Sequence, residues 1–117
     1  MKKILVIDDD RDILHLMKAG LSQKGYTVKV SSSCKEGLEI FYDLQPDLVL
    51  MDINVGSEDG REMCRAIKTQ AVYEHIPVIL FSANTEALRS YKEYGATAAL
   101  EKPFDLPQLL EVVKHYL

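Results

Sequence analysis

The stretch Lys3-Ile4-Leu5-Val6-Ile7-Asp8-Asp9-Asp10 decides the reading of this chain. It is a short β-branched apolar run that breaks off into three aspartates. The run is far shorter than the ~18–20 residues of a membrane span. It meets acid where a signal peptide would continue apolar, so it reads as a buried strand that delivers carboxylates to its carboxyl end. Four more runs have the same character: Thr27–Val30, Asp47–Met51, Pro77–Phe81 and Thr97–Leu100. All are continuous rather than alternating, the pattern of strands covered on both faces.

Helical periods separate the runs. The first puts Ile13, Leu14, Met17 and Leu21 on one face and stops at Gly25, a residue suited to ending a helix. The second opens on Ser33 and Glu36 at capping-box spacing and turns Leu38 and Phe41 inward. The third follows Asp59-Gly60 with Met63, Cys64 and Ile67 as its stripe, and the fourth is expected over Thr85 to Tyr94, ending at Gly95. The fifth takes Asp105 as cap and places Leu106, Leu109, Leu110, Val113 and Leu117 inside. Five βα units in succession predict an α/β fold, a parallel five-stranded sheet with helices on both faces and right-handed crossovers.

Composition agrees and narrows the function classes. The 117 residues suit one domain, read as residues 1–117, and 47% apolar with 27% charged excludes a disordered chain. A formal charge of −4 argues against direct nucleic-acid binding, which needs a concentrated basic face. No segment is long and apolar enough for a membrane, and a cytoplasmic location is the expectation. Cys34 and Cys64 are too few for a disulfide scaffold or a zinc site and read as reduced core residues. The last helix runs to Leu117 with no linker after it, as in a domain that stands alone or was separated from a longer chain.

The chemistry collects at the strand ends. The first strand delivers Asp8, Asp9 and Asp10, the third Asp52 followed by Ile53 and Asn54, the fourth Ser82, and the fifth Glu101, Lys102 and Pro103. Ligands of open parallel sheets bind at this edge. Taken singly, each residue has a structural use: an aspartate there caps a helix, and Ser82 or Lys102 fills a turn. Together, Asp8, Asp9 and Asp52 would repel by about 4 kcal/mol per close pair at an effective dielectric of ~20. Lys102 offsets one charge, and a hard divalent cation, Mg²⁺ or Mn²⁺, would offset the rest. Carboxylates, such a cation, a lysine and a hydroxyl are the parts for handling a phosphoryl group, and an aspartate can itself be the nucleophile.

Two assignments follow. In the first, Asp52 is the nucleophile, and the chain resembles the receiver domain of bacterial two-component response regulators from Lys3 to Leu117. The resemblance rests on Ile4-Leu5-Val6-Ile7-Asp8-Asp9-Asp10, Leu48-Val49-Leu50-Met51-Asp52, Asp59-Gly60, Phe81-Ser82-Ala83 and Lys102-Pro103-Phe104. It implies a flavodoxin-like three-layer fold with strand order 2-1-3-4-5. It implies that Asp52 accepts a phosphoryl group from a histidine kinase or a histidine phosphotransfer protein. Asp9 would hold Mg²⁺ directly and Asp8 partly through water, with Asp52 and the backbone carbonyl of Asn54 completing the set. Ser82 and Lys102 would contact the phosphoryl oxygens, and the Lys102–Pro103 bond would be cis, positioning the lysine. The loop Ser82, Ala83 and Asn84 would move, reshaping the face of helix four, strand five and helix five that binds a target or a second copy. Such a domain signals rather than turning over a substrate.

In the second assignment, Asp8-Asp9-Asp10 fits the Asp-x-Asp of haloacid dehalogenase-like phosphatases, with Asp8 as nucleophile and Asp10 as general acid. Asp12 stands where that family has Thr or Val, only Asp105 and Glu111 follow the lysine, and Asp52 is left without a role. A third possibility keeps the receiver fold as a binding module that needs no phosphorylation.

The chain also departs from the receiver pattern. Gly56 stands where many receivers have proline and Glu58 where they have an apolar residue, so the loop Val55–Asp59 is expected to be looser than usual. Ala99 stands where receivers often carry the aromatic ring of their switch, which leaves Tyr91 and Tyr94 as substitutes or as plain packing residues. Asn54 and Asn84 flank the family's path for hydrolytic water, and as neutral amides neither is expected to speed loss of the phosphoryl group. His15, His75 and His115 read as surface or packing residues.

Overall fold

A computed structural model describes all 117 residues. Five parallel strands form the sheet: β1 (Lys3–Ile7), β2 (Thr27–Ser31), β3 (Leu48–Asp52), β4 (Val78–Ser82) and β5 (Ala98–Glu101). Their order is β2-β1-β3-β4-β5, as expected. Helices α1 (Arg11–Gln23) and α5 (Leu106–Tyr116) cover one face, while α2 (Cys34–Leu44), α3 (Gly60–Lys68) and α4 (Thr85–Leu88) cover the other.

The continuous apolar runs are explained by this double covering. Ile4 and Val6 pack with Leu14, Met17, Leu21, Leu109 and Val113 on the α1–α5 side. Leu5 and Ile7 turn the opposite way, to Phe41, Met63, Cys64 and Ile67. Both faces are therefore core, and no strand position is free to be polar until its carboxyl end. Cys34 and Cys64 are buried, unpaired thiols, and burial pushes them up to about 11 and about 12 respectively.

β3, β4 and β5 each sit one residue later than the apolar runs suggest, and β2 extends one residue further. The polar residue at the carboxyl end joins the ladder because its neighbour offers a register partner: Ile7 opposite Ser31, Asp52 opposite Phe81, Ser82 opposite Glu101. Pro77 drops out of β4, although its carbonyl still accepts from the Val49 N–H at 3.0 Å. The first helix ends as expected, with Gly25 at φ +93° just beyond it.

Two expectations about helices need correction. The fourth is not one helix over Thr85 to Tyr94: α4 is a single turn, followed after Arg89 and Ser90 by a 3₁₀ turn at Tyr91–Tyr94. Between Asn84 and Ala98 only Leu88 and Ala96 are buried, too few apolar anchors to hold a continuous helix against the sheet. In α5, Leu106 is 40% exposed rather than inside. It lies over Gly20 of α1, where a Cβ would come within 2.5 Å of its side chain.

Candidate functional site

Each strand of the central three, and β5, delivers its polar residue to one spot. Asp8 follows β1, Asp52 ends β3, Ser82 ends β4 and Lys102 follows β5. The ladder continues through them: the Asp8 N–H donates to the Ser31 carbonyl at 3.1 Å and the Lys102 N–H to the Ser82 carbonyl at 2.9 Å. The backbone therefore holds these side chains before any of them interact.

Lys102 is the hub. Its Nζ donates to Asp52 Oδ2 at 2.7 Å and to Asp8 Oδ2 at 2.9 Å, with the Phe81 ring 5.2 Å away. Asp8 is fully buried and Asp52 is 6% exposed. Burial raises the Asp8 carboxyl above the ordinary carboxylate range and the Asp52 charge adds to this, opposed by the Asp10 N–H and by Lys102. Burial pulls the Lys102 ammonium down, but the hydrogen bonds to Asp52 and Asp8 outweigh it and leave its pKa raised. The remaining oxygens are held by backbone: Asp8 Oδ1 accepts from the Asp10 N–H at 2.9 Å and Asp52 Oδ1 from the Asn54 N–H at 3.0 Å.

Asp9 completes the group. One carboxylate oxygen from each of Asp8, Asp9 and Asp52 lies within 4.8 Å of the others. One ammonium against three carboxylates leaves excess negative charge in a largely buried place. All-oxygen donors with lone pairs to spare fit a hard divalent cation. Ser82 is 1% exposed, and its Oγ accepts from the Asn84 N–H at 3.0 Å. Asn84 itself caps α4, its Oδ1 accepting from the Ala87 N–H. The Lys102–Pro103 bond is cis.

The chain matches the sequence profile of the response regulator receiver domain over residues 4–114. It belongs to that family. A chemotaxis response regulator of Vibrio cholerae superposes with a TM-score of 0.91 at 28% identity, covering 100% of this chain and 99% of that one. The receiver domain of NtrX from Brucella abortus gives 0.88 at 31% identity, with 97% of each chain covered. Against a longer NtrX structure the identity is 32% and the TM-score 0.90, and this chain spans only 27% of that one. This is a receiver domain, a phosphoacceptor signalling module of response regulators with the flavodoxin-like fold. Receivers work with histidine kinases and downstream effectors. No helix here is long and apolar enough to cross a membrane.

Several residues take the structural roles that their sequence context suggests. Asp10 is exposed and its carboxylate caps α1, accepting from the Asp12 and Ile13 N–H groups. The phosphatase-like reading needed it as a free acid. Tyr94 lies beneath Arg65 and Arg61, with guanidinium carbons 4.2 and 5.1 Å from its ring centre, and Tyr91 packs against the core. Both have packing roles. Ala99 is exposed on β5, and His15, His75 and His115 are all at the surface.

The loop after Asp52 is not loose. Asn54–Val55 and Glu58–Asp59 pair as a two-stranded antiparallel hairpin. The expected Ser33–Glu36 box is only half formed: Ser33 Oγ accepts from the Glu36 N–H, but the Ser33 N–H donates to Ser31 Oγ at 3.2 Å and not to Glu36, and the Cys34 and Lys35 N–H groups donate to Glu58, 2.8 and 3.1 Å away. Nothing in the local pattern at residue 58 points to a helix 24 residues earlier. Asp59-Gly60 was legible as a motif, but not the close approach of α3 to the Asp52 backbone that the missing Gly60 side chain allows, nor the Asp59–Arg61 pair that caps α3.

Proposed function

We propose that Asp52 accepts a phosphoryl group from a phosphohistidine of a histidine kinase or histidine phosphotransfer protein. The observation that carries this is the single ammonium shared by Asp52 and Asp8, with an Asp9 oxygen within reach of both. An Asp52 carboxylate oxygen attacks phosphorus, the P–N bond breaks, and its electron pair returns to the imidazole nitrogen. Lys102 neutralises charge on the incoming phosphoryl oxygens, and the Ser82 hydroxyl donates to one of them. Asp8, Asp9, Asp52 and the Asn54 carbonyl would hold Mg²⁺ or Mn²⁺. When bound, the cation supplies the positive charge that lets the phosphoryl group approach three carboxylates.

The acyl phosphate carries nearly one more negative charge than the carboxylate it replaces. Ser82, Ala83 and Asn84 then shift toward it, and the face of α4, β5 and α5 changes its affinity for a downstream protein or a second copy of the chain. The domain, residues 1–117, signals in the cytoplasm by binding and has no turnover of its own beyond slow loss of the phosphoryl group. Ala99 leaves the switch without its usual ring, so the Ser82 loop carries the signal.

Intact mass after incubation with acetyl phosphate and Mg²⁺ tests this. The wild type gains one phosphoryl group, Asp52→Asn gains none, and Asp8→Asn labels at least ~10-fold more slowly. Labelling that survives Asp52→Asn and vanishes in Asp8→Asn would transfer the nucleophile's role to Asp8.

A further inference from the structure

The departures at Gly56 and Glu58 are joined in space. The Gly56 N–H donates to Asp9 Oδ2 at 3.1 Å, across 47 residues of sequence. Gly56 sits at φ +61°, in the left-handed region, at the tip of the hairpin. That conformation aims its N–H at the end of β1. A hairpin of two residue pairs cannot hold such an aim alone. Glu58, opposite Val55, supplies the anchor: Oε1 takes the Cys34 N–H and Oε2 the Lys35 N–H, two otherwise unpaired donors in the first turn of α2. The first turn of α2 is itself tied to β1. Ser31 Oγ bonds both the N–H and the carbonyl of Ser33, and the Ser31 carbonyl accepts from Asp8. The hydrogen bonds thus close a ring from Asp8 through the β2–α2 turn, Glu58 and Gly56 back to Asp9.

We propose that Glu58 is a positioning residue for the cation site: by clasping the first turn of α2 it fixes the hairpin whose tip orients Asp9. The inference rests on the cation site described under Proposed function. Both Glu58 oxygens are occupied by α2, so it acts on the cation through Asp9 and not as a ligand. Asp9 is the exposed member of the carboxylate trio, and the Gly56 N–H is the hydrogen bond that restrains its side chain. Outer partners that orient ligands typically change metal affinity 10–100-fold when lost.

The test is Mn²⁺ binding, with free ion counted by its paramagnetic resonance signal, in wild type, Glu58→Gln and Glu62→Gln. Glutamine offers one acceptor oxygen and turns an NH₂ on the second donor. Glu58→Gln is expected to raise the Mn²⁺ Kd about tenfold and, without metal, to speed exchange of the Gly56 amide about tenfold. Glu62→Gln removes the same charge from the neighbouring helix surface and is expected to change Kd less than about twofold. Equal affinity in wild type and Glu58→Gln, a loss matched by Glu62→Gln, or an unchanged Gly56 amide would each overturn the positioning role. Wild type that binds no Mn²⁺ would overturn the cation site itself, and this inference with it.

Discussion

The two connections that flank Asp52 and Ser82 are built in opposite ways. After β3 the chain is bonded at nearly every step. The Ile53 N–H donates to the Phe81 carbonyl at 3.0 Å, Gly60 returns an N–H to Ile53 at 2.7 Å, the Asn54 N–H donates to Asp52 Oδ1, and Gly56 and Glu58 are tied to Asp9 and to α2. After β4 the chain makes one turn of α4 and one 3₁₀ turn, anchored by Leu88 and Ala96. The side bonded to distant segments holds the carboxylates, while the side whose hydrogen bonds are mostly local follows Ser82, where the switch would act. Arg61 bridges them: it is paired with Asp59 at 2.9 Å, donates to Ser90 Oγ at 3.3 Å and lies over Tyr94.

The largest effect that can break this contrast is at Gly60. A Cβ there would clash with the Asp52 carbonyl oxygen, and neither backbone can yield without moving α3. Gly60→Ala should cost about 3 kcal/mol in denaturant unfolding; a cost below ~0.5 kcal/mol would mean that the junction is not rigid. Next comes amide exchange by NMR. Amides over 88–96 should exchange about 30-fold faster than those over 53–64, because few buried contacts hold them. Equal protection on the two sides would remove the contrast.

Arg61→Met then sharpens it. The stability loss should be modest, about 1 kcal/mol, since the pair is partly exposed, with faster exchange confined to the residues around Ser90 and Tyr94. The smallest effect is its pH dependence. The Arg61 side-chain hydrogen bond holds the Asp59 carboxyl below the usual range, with burial opposing. Because the folded pKa is depressed, this stabilisation is present above the unfolded value near ~3.9 and is lost as pH falls toward the folded one. The gap in unfolding midpoint between wild type and Arg61→Met should therefore hold at pH 7 and shrink below about pH 4.

The difference between the connections also marks how far local sequence could be read. By residue type alone, Gly56 and Glu58 make the β3–α3 loop permissive. Its restraint comes from partners 47 and 24 residues away. Thr85 to Tyr94 contains no proline or glycine to break a helix, yet only Leu88 within it and Ala96 just beyond are buried, with Ala87 and Tyr91 packing at the edge of the core.

What the sequence determined by itself was whatever repeats over a few residues or sits at the end of a run. Apolar runs covered on both faces and helical stripes dictated the βα alternation, since each must bury its apolar surface. Asp8, Asp9, Asp52, Ser82 and Lys102 were legible because each ends a strand, and parallel strands bring their carboxyl ends to one edge. Only the tertiary structure decided that Lys102 bonds both Asp8 and Asp52, that the Gly56 N–H bonds Asp9, and that Glu58 caps α2. Those are choices among donors and acceptors from distant segments, and hydrogen-bond geometry selects among them only after the core has brought the segments together.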